Sequence, residues 1–321
     1  MKYKRFYITT KTPLRVSLFG GGSDIENFFN KKNGHVVTTA INKFIYVTIK
    51  NHDQIFGEKF RLNYSTTESS NQILKIKNKI IRACLKKFEI DFPIYISTIS
   101  DLPSNSGLGS SSSFTVGLLK ALYELKGIKI SPKKLALEAS KIEINELKNP
   151  IGLQDQFIAA YGGFKYFQFK KNYIVNHKSI NPNHLNKIFK KSLILWTSLS
   201  RDASKLLKIQ NSKIKTNYNK LNEISHLAME SYKLFRKKKF DEKKFINLLI
   251  HSWNIKKKLS NKVSNKKINV IYNKLSKLGL SAAKICGAGG GGFLFIIYKN
   301  KKFIQGIKKY KFYLIKHWSK G

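Results

Sequence analysis

Several groups of residues in this chain have types and spacings that could do chemistry, and the densest is Asp101-Leu-Pro103-Ser-Asn-Ser106-Gly107-Leu108-Gly109-Ser110-Ser111-Ser112-Ser113. Its glycines permit positive φ and let a ligand come close to the backbone. Phe114, Leu118, Leu119, Leu122 and Leu125 then recur at helical spacing, so the loop opens a helix. A helix start offers unpaired N–H groups and the positive end of the helix dipole, which together make an anion site. The serine hydroxyls can bind phosphate oxygens or a metal ion. This predicts a phosphate cradle; the plainer alternative is a flexible linker or an ordinary helix cap. No Gly-Lys-Ser/Thr closes the loop, so it is not a Walker loop.

Charged residues elsewhere stand beside turns. Arg15 precedes Gly20-Gly21-Gly22-Ser23-Asp24, where the plain reading is an edge charge, a turn and a helix cap. Asn149-Pro150-Ile-Gly152-Leu-Gln154-Asp155-Gln156 is a Pro/Gly turn that places Asp155 at the start of a short helix, closed by Gly162. Glu143 stands twelve positions before Asp155, with Glu146 nearer. Arg201, in Ser200-Arg-Asp-Ala203, is either a phosphate contact or a surface arginine near a cap. Gly287-x-Gly289-Gly290-x-Gly292 formally fits a dinucleotide fingerprint, but a strand pattern follows it and no Asp or Glu occurs after Glu242. The Rossmann reading therefore fails. The seven histidines show no metal-ligand spacing.

The elements that position these groups follow from periodicity. Strands are expected over residues 9–19, 34–49, 92–99 and 192–197, with a hairpin over 164–175 turning at Lys170 to Asn172. The glycines after Cys286 form a loop between two strands. A short helix over 25–29 takes Ser23 or Asp24 as its N-cap. One amphipathic helix covers 71–90, and another starts at Ser131-Pro132 and runs to about Leu147. Three lysine-laden helices fill 213–278.

Length and composition bound the function. The 321 residues suffice for two domains, and 42% hydrophobic with 25% charged residues fits a globular chain. No apolar run reaches the ~18 residues of a membrane span, and no signal-peptide core follows the N-terminus. Two distant cysteines make no disulfide framework, which points to the cytoplasm. The net charge of +43 suggests polyanion binding, yet 55 of the 61 basic residues are lysines spread along the chain. That pattern favours compositional bias over a specific nucleic-acid footprint.

Pro13-Leu-Arg15-Val-Ser-Leu-Phe-Gly20-Gly-Gly-Ser-Asp24, the serine loop and the Gly287 to Gly292 loop resemble the three motifs of the GHMP kinase family, in that order. Gly21-Gly22, where many members have Glu-His, and the Gly152-x-Gln154-Asp155-Gln156 segment are most similar to its D-glycero-D-manno-heptose 7-phosphate kinase subgroup. The resemblance implies an α+β, two-domain fold: a ribosomal protein S5 domain 2-like domain over 1–188 and a ferredoxin-like domain over 189–321. It implies ATP in the Pro103 to Ser112 loop (Pro103, Ser106, Gly107, Leu108, Gly109, Ser110, Ser111, Ser112). Mg²⁺ is implied on Ser110, Ser111 and Glu143, with Glu146 as the other candidate. Arg15 would neutralise the moving phosphoryl group and Asp155 would face the sugar hydroxyl. Gly21, Gly22, Ser23, Asp24, Gln154, Arg201, Gly289 and Gly290 would contact the substrate. The expected reaction is ATP-dependent phosphorylation of the heptose 7-phosphate to the 1,7-bisphosphate, by a monomer or homodimer. The alternatives are another sugar 1-kinase using an unphosphorylated sugar, or a basic polyanion-binding module.

Overall fold

The computed structural model describes residues 5–199 and 203–319. Seven strands form the first sheet: β1 (Tyr7–Phe19), β2 (Gly34–Asn51), β3 (Phe60–Asn63), β4 (Thr67–Ser70), β5 (Ile94–Ser100), β6 (Phe164–Lys170) and β7 (Ile174–Ser179). Their order is β4-β3-β5-β2-β6-β7, with β1 paired to β2 off this path. The long β2 bears β1 on one edge and divides the other between β6, at residues 34–39, and β5, at residues 45–51. The C-terminal segment occupies the gap: Asn42 N–H donates to Lys316 O, and Trp318 N–H donates to Ala40 O.

The second sheet, β8 (Ser192–Trp196), β9 (Leu280–Ile285), β10 (Phe293–Tyr298) and β11 (Phe312–Leu314), has the order β11-β8-β10-β9 with every pair antiparallel. Helices join β8 to β9 and β10 to β11, the ferredoxin-like arrangement. All six residues of β10 are buried, as the run Phe-Leu-Phe-Ile-Ile-Tyr requires of a central strand.

The helix Ser110–Leu125 lies across the first sheet and buries residues around most of its circumference. Gly117 is needed there because a Cβ would lie 2.8 Å from Thr12 Oγ1, and Thr10 Oγ1 donates to Gly117 O at 2.9 Å. The largest core cluster draws on both sheets and the helices between them: Phe19 meets Phe245 edge-on, and Phe164 meets Phe235 in the same way.

Two local expectations are corrected. The amphipathic stretch 71–90 is a 3₁₀ turn (Ile73–Lys75) and a separate helix (Lys79–Lys87), because the Asn78 side chain accepts from the N–H groups of Ile80 and Ile81 and starts the helix anew. The short helix Glu26–Phe29 has no side-chain cap, since Ser23 and Asp24 are engaged elsewhere. Among the described residues, no helix is long and apolar enough to cross a membrane.

Candidate active site

The serine loop is built for an anion by its backbone. Asn105, Gly107 and Gly109 have φ of 56°, 85° and 79°, while Ser106 and Leu108 between them stay outside the positive range. Such alternation turns successive N–H groups toward one concave side. Gly109 is the N-cap of Ser110–Leu125 and no side chain caps that helix, so its first N–H groups keep their bonding capacity. Pro103, Ser110 and Ser111 line a cavity with Tyr64, Asn78 and Phe114, large enough for a heterocycle and sugar beside the loop.

Arg15, near the middle of β1, reaches into the same loop. Its Nη1 donates to Gly107 O at 2.7 Å, and its backbone N–H donates to Leu108 O at 3.0 Å. The rest of the guanidinium grips Asp155, Nε to Oδ1 at 2.7 Å and Nη2 to Oδ2 at 2.6 Å. Asp155 sits in the first turn of the helix Gln154–Tyr161, and its Oδ2 lies 3.4 Å from where a Cβ on Gly109 would be. The two residues therefore stand at the mouth of the serine loop and also line a second cavity, with Ser17, Asp24, Gln154 and Lys284.

The Ser131-capped helix (Pro132–Ser140) continues into a π-helical turn, Lys141–Glu146. Glu143 is thereby buried, and its Oε1 accepts from Ser111 Oγ at 2.6 Å while Oε2 accepts from Gln156 Nε2 at 2.7 Å. Burial pushes its carboxyl pKa upward, partly offset by these donors. Glu146 is exposed to solvent. Among the described residues, no group of three or more His, Cys, Asp or Glu residues is arranged so that it could hold a metal ion by itself. One carboxylate beside a hydroxyl suits Mg²⁺, which takes one or two carboxylates and completes its shell with water and substrate phosphates.

Asp24 connects two of the turns. Its Oδ1 accepts from Gly22 N–H at 2.8 Å and its Oδ2 from Gln154 N–H at 3.2 Å. Burial, then the nearby charge of Asp155, pushes its pKa upward despite those two bonds. The carboxylate fills the space left by Gly152, where a Cβ would lie 2.1 Å from Asp24 Oδ2. Among the described residues, Ser17 Oγ and Gln154 Oε1 are buried without a hydrogen-bond partner, and both belong to this cavity. A polyol could supply the donors and acceptors they lack.

The remaining expected residues are placed in different ways, some at the cavity and some away from it. Gly21 and Gly22 both line the cavity as expected, Gly21 beside Ser17 and Gln154 and Gly22 with its Cα side toward Leu221. Ser23 is fully buried: its hydroxyl donates to Gly20 O and His35 O and accepts from His35 N–H, so it ties the turn rather than facing a ligand. Ser106 is buried and its carbonyl accepts from Phe293 N–H, which fastens the serine loop to β10. In the last glycine loop, Gly287 and Ala288 line the cavity, while Gly289 and Gly290 pack on Val263. Arg201 lies outside the described residues.

Sequence reasoning missed Lys284 and Lys256, which line the cavity with Asp155. Lys284 is 3% exposed and donates to Ser17 O and Leu18 O. Lys256 Nζ donates to Gly287 O. In a chain with 61 basic residues, nothing local distinguishes these two.

The family descriptions "GHMP kinases N terminal domain" and "GHMP kinases C terminal" match residues 74–163 and 238–309. A Campylobacter jejuni protein named D-glycero-alpha-D-manno-heptose 7-phosphate kinase is 32% identical, over 94% of this chain and 91% of the relative. The chain belongs to the GHMP kinase family. It is accordingly an ATP-dependent kinase, in a fold shared across the family. A D-glycero-D-manno-heptose 1-phosphate kinase from Bacteriodes thetaiotaomicron superposes with a TM-score of 0.78 at 20% identity, covering 98% of this chain and 97% of that one. Streptococcus pneumoniae phosphomevalonate kinase superposes with a TM-score of 0.75 at 14% identity, covering 97% and 100%.

Proposed function

We propose that this GHMP kinase is a sugar 1-kinase that transfers the γ-phosphoryl group of ATP to the anomeric hydroxyl of D-glycero-D-manno-heptose 7-phosphate, yielding the 1,7-bisphosphate. The observation that carries this reading is the Arg15–Asp155 pair. It stands against Gly107 and Gly109 at one end and borders a polar cavity at the other. The name of the 32%-identical relative supports the choice of heptose.

In this reading the N–H groups at the start of Ser110–Leu125 hold the nucleotide phosphates. Ser110, Ser111 and Glu143 hold Mg²⁺, which when bound neutralises charge on those phosphates. Arg15 offsets charge on the migrating phosphoryl group. Asp155, paired with Arg15 before substrate arrives, turns to orient the sugar hydroxyl and accept its proton. Asp24, Gln154 and Ser17 bond the other hydroxyls. Phosphoryl transfer asks little covalent work of a protein, so positioning and charge neutralisation carry most of the rate. The split into 1–188 and 189–321 belongs to the same proposal, with the serine loop and catalytic residues in the first part and the last glycine loop in the second.

The two heptose kinase names differ over which phosphate is already present, so substrate and position are tested together. ADP release is measured with heptose 7-phosphate, heptose 1-phosphate, galactose and mevalonate, and the product is examined by ³¹P NMR. The reading requires heptose 7-phosphate to give the highest kcat/KM and the new phosphorus to couple to the anomeric proton. A preference for an unphosphorylated sugar moves the enzyme to another sugar 1-kinase activity.

A further inference from the structure

β1 has a feature that the reaction scheme above does not use. Its pairing with β2 slips between Ser17 and Phe19, so Leu18 is an extra residue at the end of the strand, just before the Gly20 to Gly22 turn. Such a bulge breaks the ladder and leaves backbone groups needing other partners. The carbonyls of Ser17 and Leu18 find theirs in one ammonium: Lys284 Nζ donates to Ser17 O at 2.9 Å and to Leu18 O at 2.7 Å. Lys284 is in β9, two residues before Cys286 and the glycine loop whose Gly287 and Ala288 line the cavity. One side chain thus joins the strand carrying Arg15 to the strand that delivers the last glycine loop.

We propose that Lys284 is a positioning residue, whose buried ammonium clamps the bulged end of β1 and so sets where Arg15 and the Gly20 to Gly22 turn stand relative to the Gly287 loop. This rests on the kinase reading, because the geometry it controls is that of the reacting pair. The clamp is strongest while the amine is protonated, because the charge on the ammonium strengthens both of its bonds to the two carbonyls. Burial lowers its pKa to about 7, with Lys256 and Arg15 pushing in the same direction and Cys286 opposing them; Asp24 and Asp155 also face this cavity. The clamp therefore weakens as pH rises through neutrality.

The test compares wild type, Lys284→Met and Lys284→Arg in kcat and KM from pH 6 to 9. Loss of the clamp in Lys284→Met is expected to lower kcat at least tenfold while KM for ATP changes less than about twofold. Wild type should lose activity above about pH 7, and Lys284→Arg, whose guanidinium stays charged, should recover a third or more of kcat without that decline. Unchanged kcat in Lys284→Met overturns the proposal. If Lys284→Met does not fold, the wild-type and Lys284→Arg profiles decide, and the same decline in both overturns it. If no sugar is turned over by wild type, the kinase reading has failed separately. The clamp is then judged by hydrogen exchange over residues 15 to 22, which must quicken above neutrality, beyond the intrinsic rise, in wild type and not in Lys284→Arg.

Discussion

Arg15 and Asp155 meet through two parallel hydrogen bonds of 2.7 and 2.6 Å, although 140 positions separate them in the chain. In this arrangement both carboxylate oxygens of Asp155 accept from the guanidinium. In the proposed reaction, an incoming phosphoryl group would compete for Arg15 and release the carboxylate beside the sugar hydroxyl. The fork geometry of arginine suits both partners, which a point charge would not match.

Asp155→Asn keeps the shape of the side chain and removes the proton acceptor. Loss of a positioned base costs ~10² to 10⁴ in rate. The variant should fold and bind ATP as tightly as wild type while kcat falls at least about a hundredfold. Single-turnover phosphorylation at wild-type speed would remove Asp155 from the chemistry.

Glu143→Gln should raise the Mg²⁺ concentration needed for half-maximal activity several-fold, because a neutral amide is a weaker ligand for a hard cation. Glu146→Gln, at an exposed position three residues on, is the control and should leave that concentration unchanged. Titrating both variants with MgCl₂ at fixed ATP separates them. Equal shifts would show that Glu143 is only a buried structural acid.

Gly152→Ala places a methyl group where the Asp24 carboxylate now lies, 2.1 Å from Oδ2 and 2.9 Å from Asp24 O. Overpacking of this kind costs ~1 to 3 kcal/mol. The expected result is a lower Tm together with a raised KM for the sugar, while KM for ATP stays near the wild-type value. A variant as stable as wild type, with unaltered KM for the sugar, would contradict the placement of Asp24 against this turn.

Asp24 also predicts a pH dependence. Burial, with Asp155 nearby, raises its pKa, so its charged form is lost at a higher pH than for an ordinary carboxyl group as the solution is acidified. KM for the sugar should therefore rise as pH falls toward 5, and Asp24→Asn should flatten that rise. A slope that persists in the variant would assign the titration to another group.

How much was legible differs from residue to residue. The π-helical turn that buries Glu143 and leaves Glu146 in solvent has no signature in the one-dimensional pattern, so spacing alone left both open. Ser23 was misplaced because a serine beside glycines reads equally as a ligand contact or a turn brace, and only the proximity of His35 decides. Gly289 and Gly290 were expected at the substrate, yet the loop folds toward Val263 and presents Gly287 and Ala288 instead.

From its sequence alone this chain determined the serine loop, the helix it opens, the glycine turns and the strand alternation. Those depend on interactions between near neighbours, which composition and period record. Tertiary structure alone decided that Arg15 grips Asp155, that Glu143 rather than Glu146 faces Ser111, and that Lys284 holds the end of β1. Each of those contacts joins residues distant along the chain, and which side chains meet is settled only when the sheets and helices pack into one core.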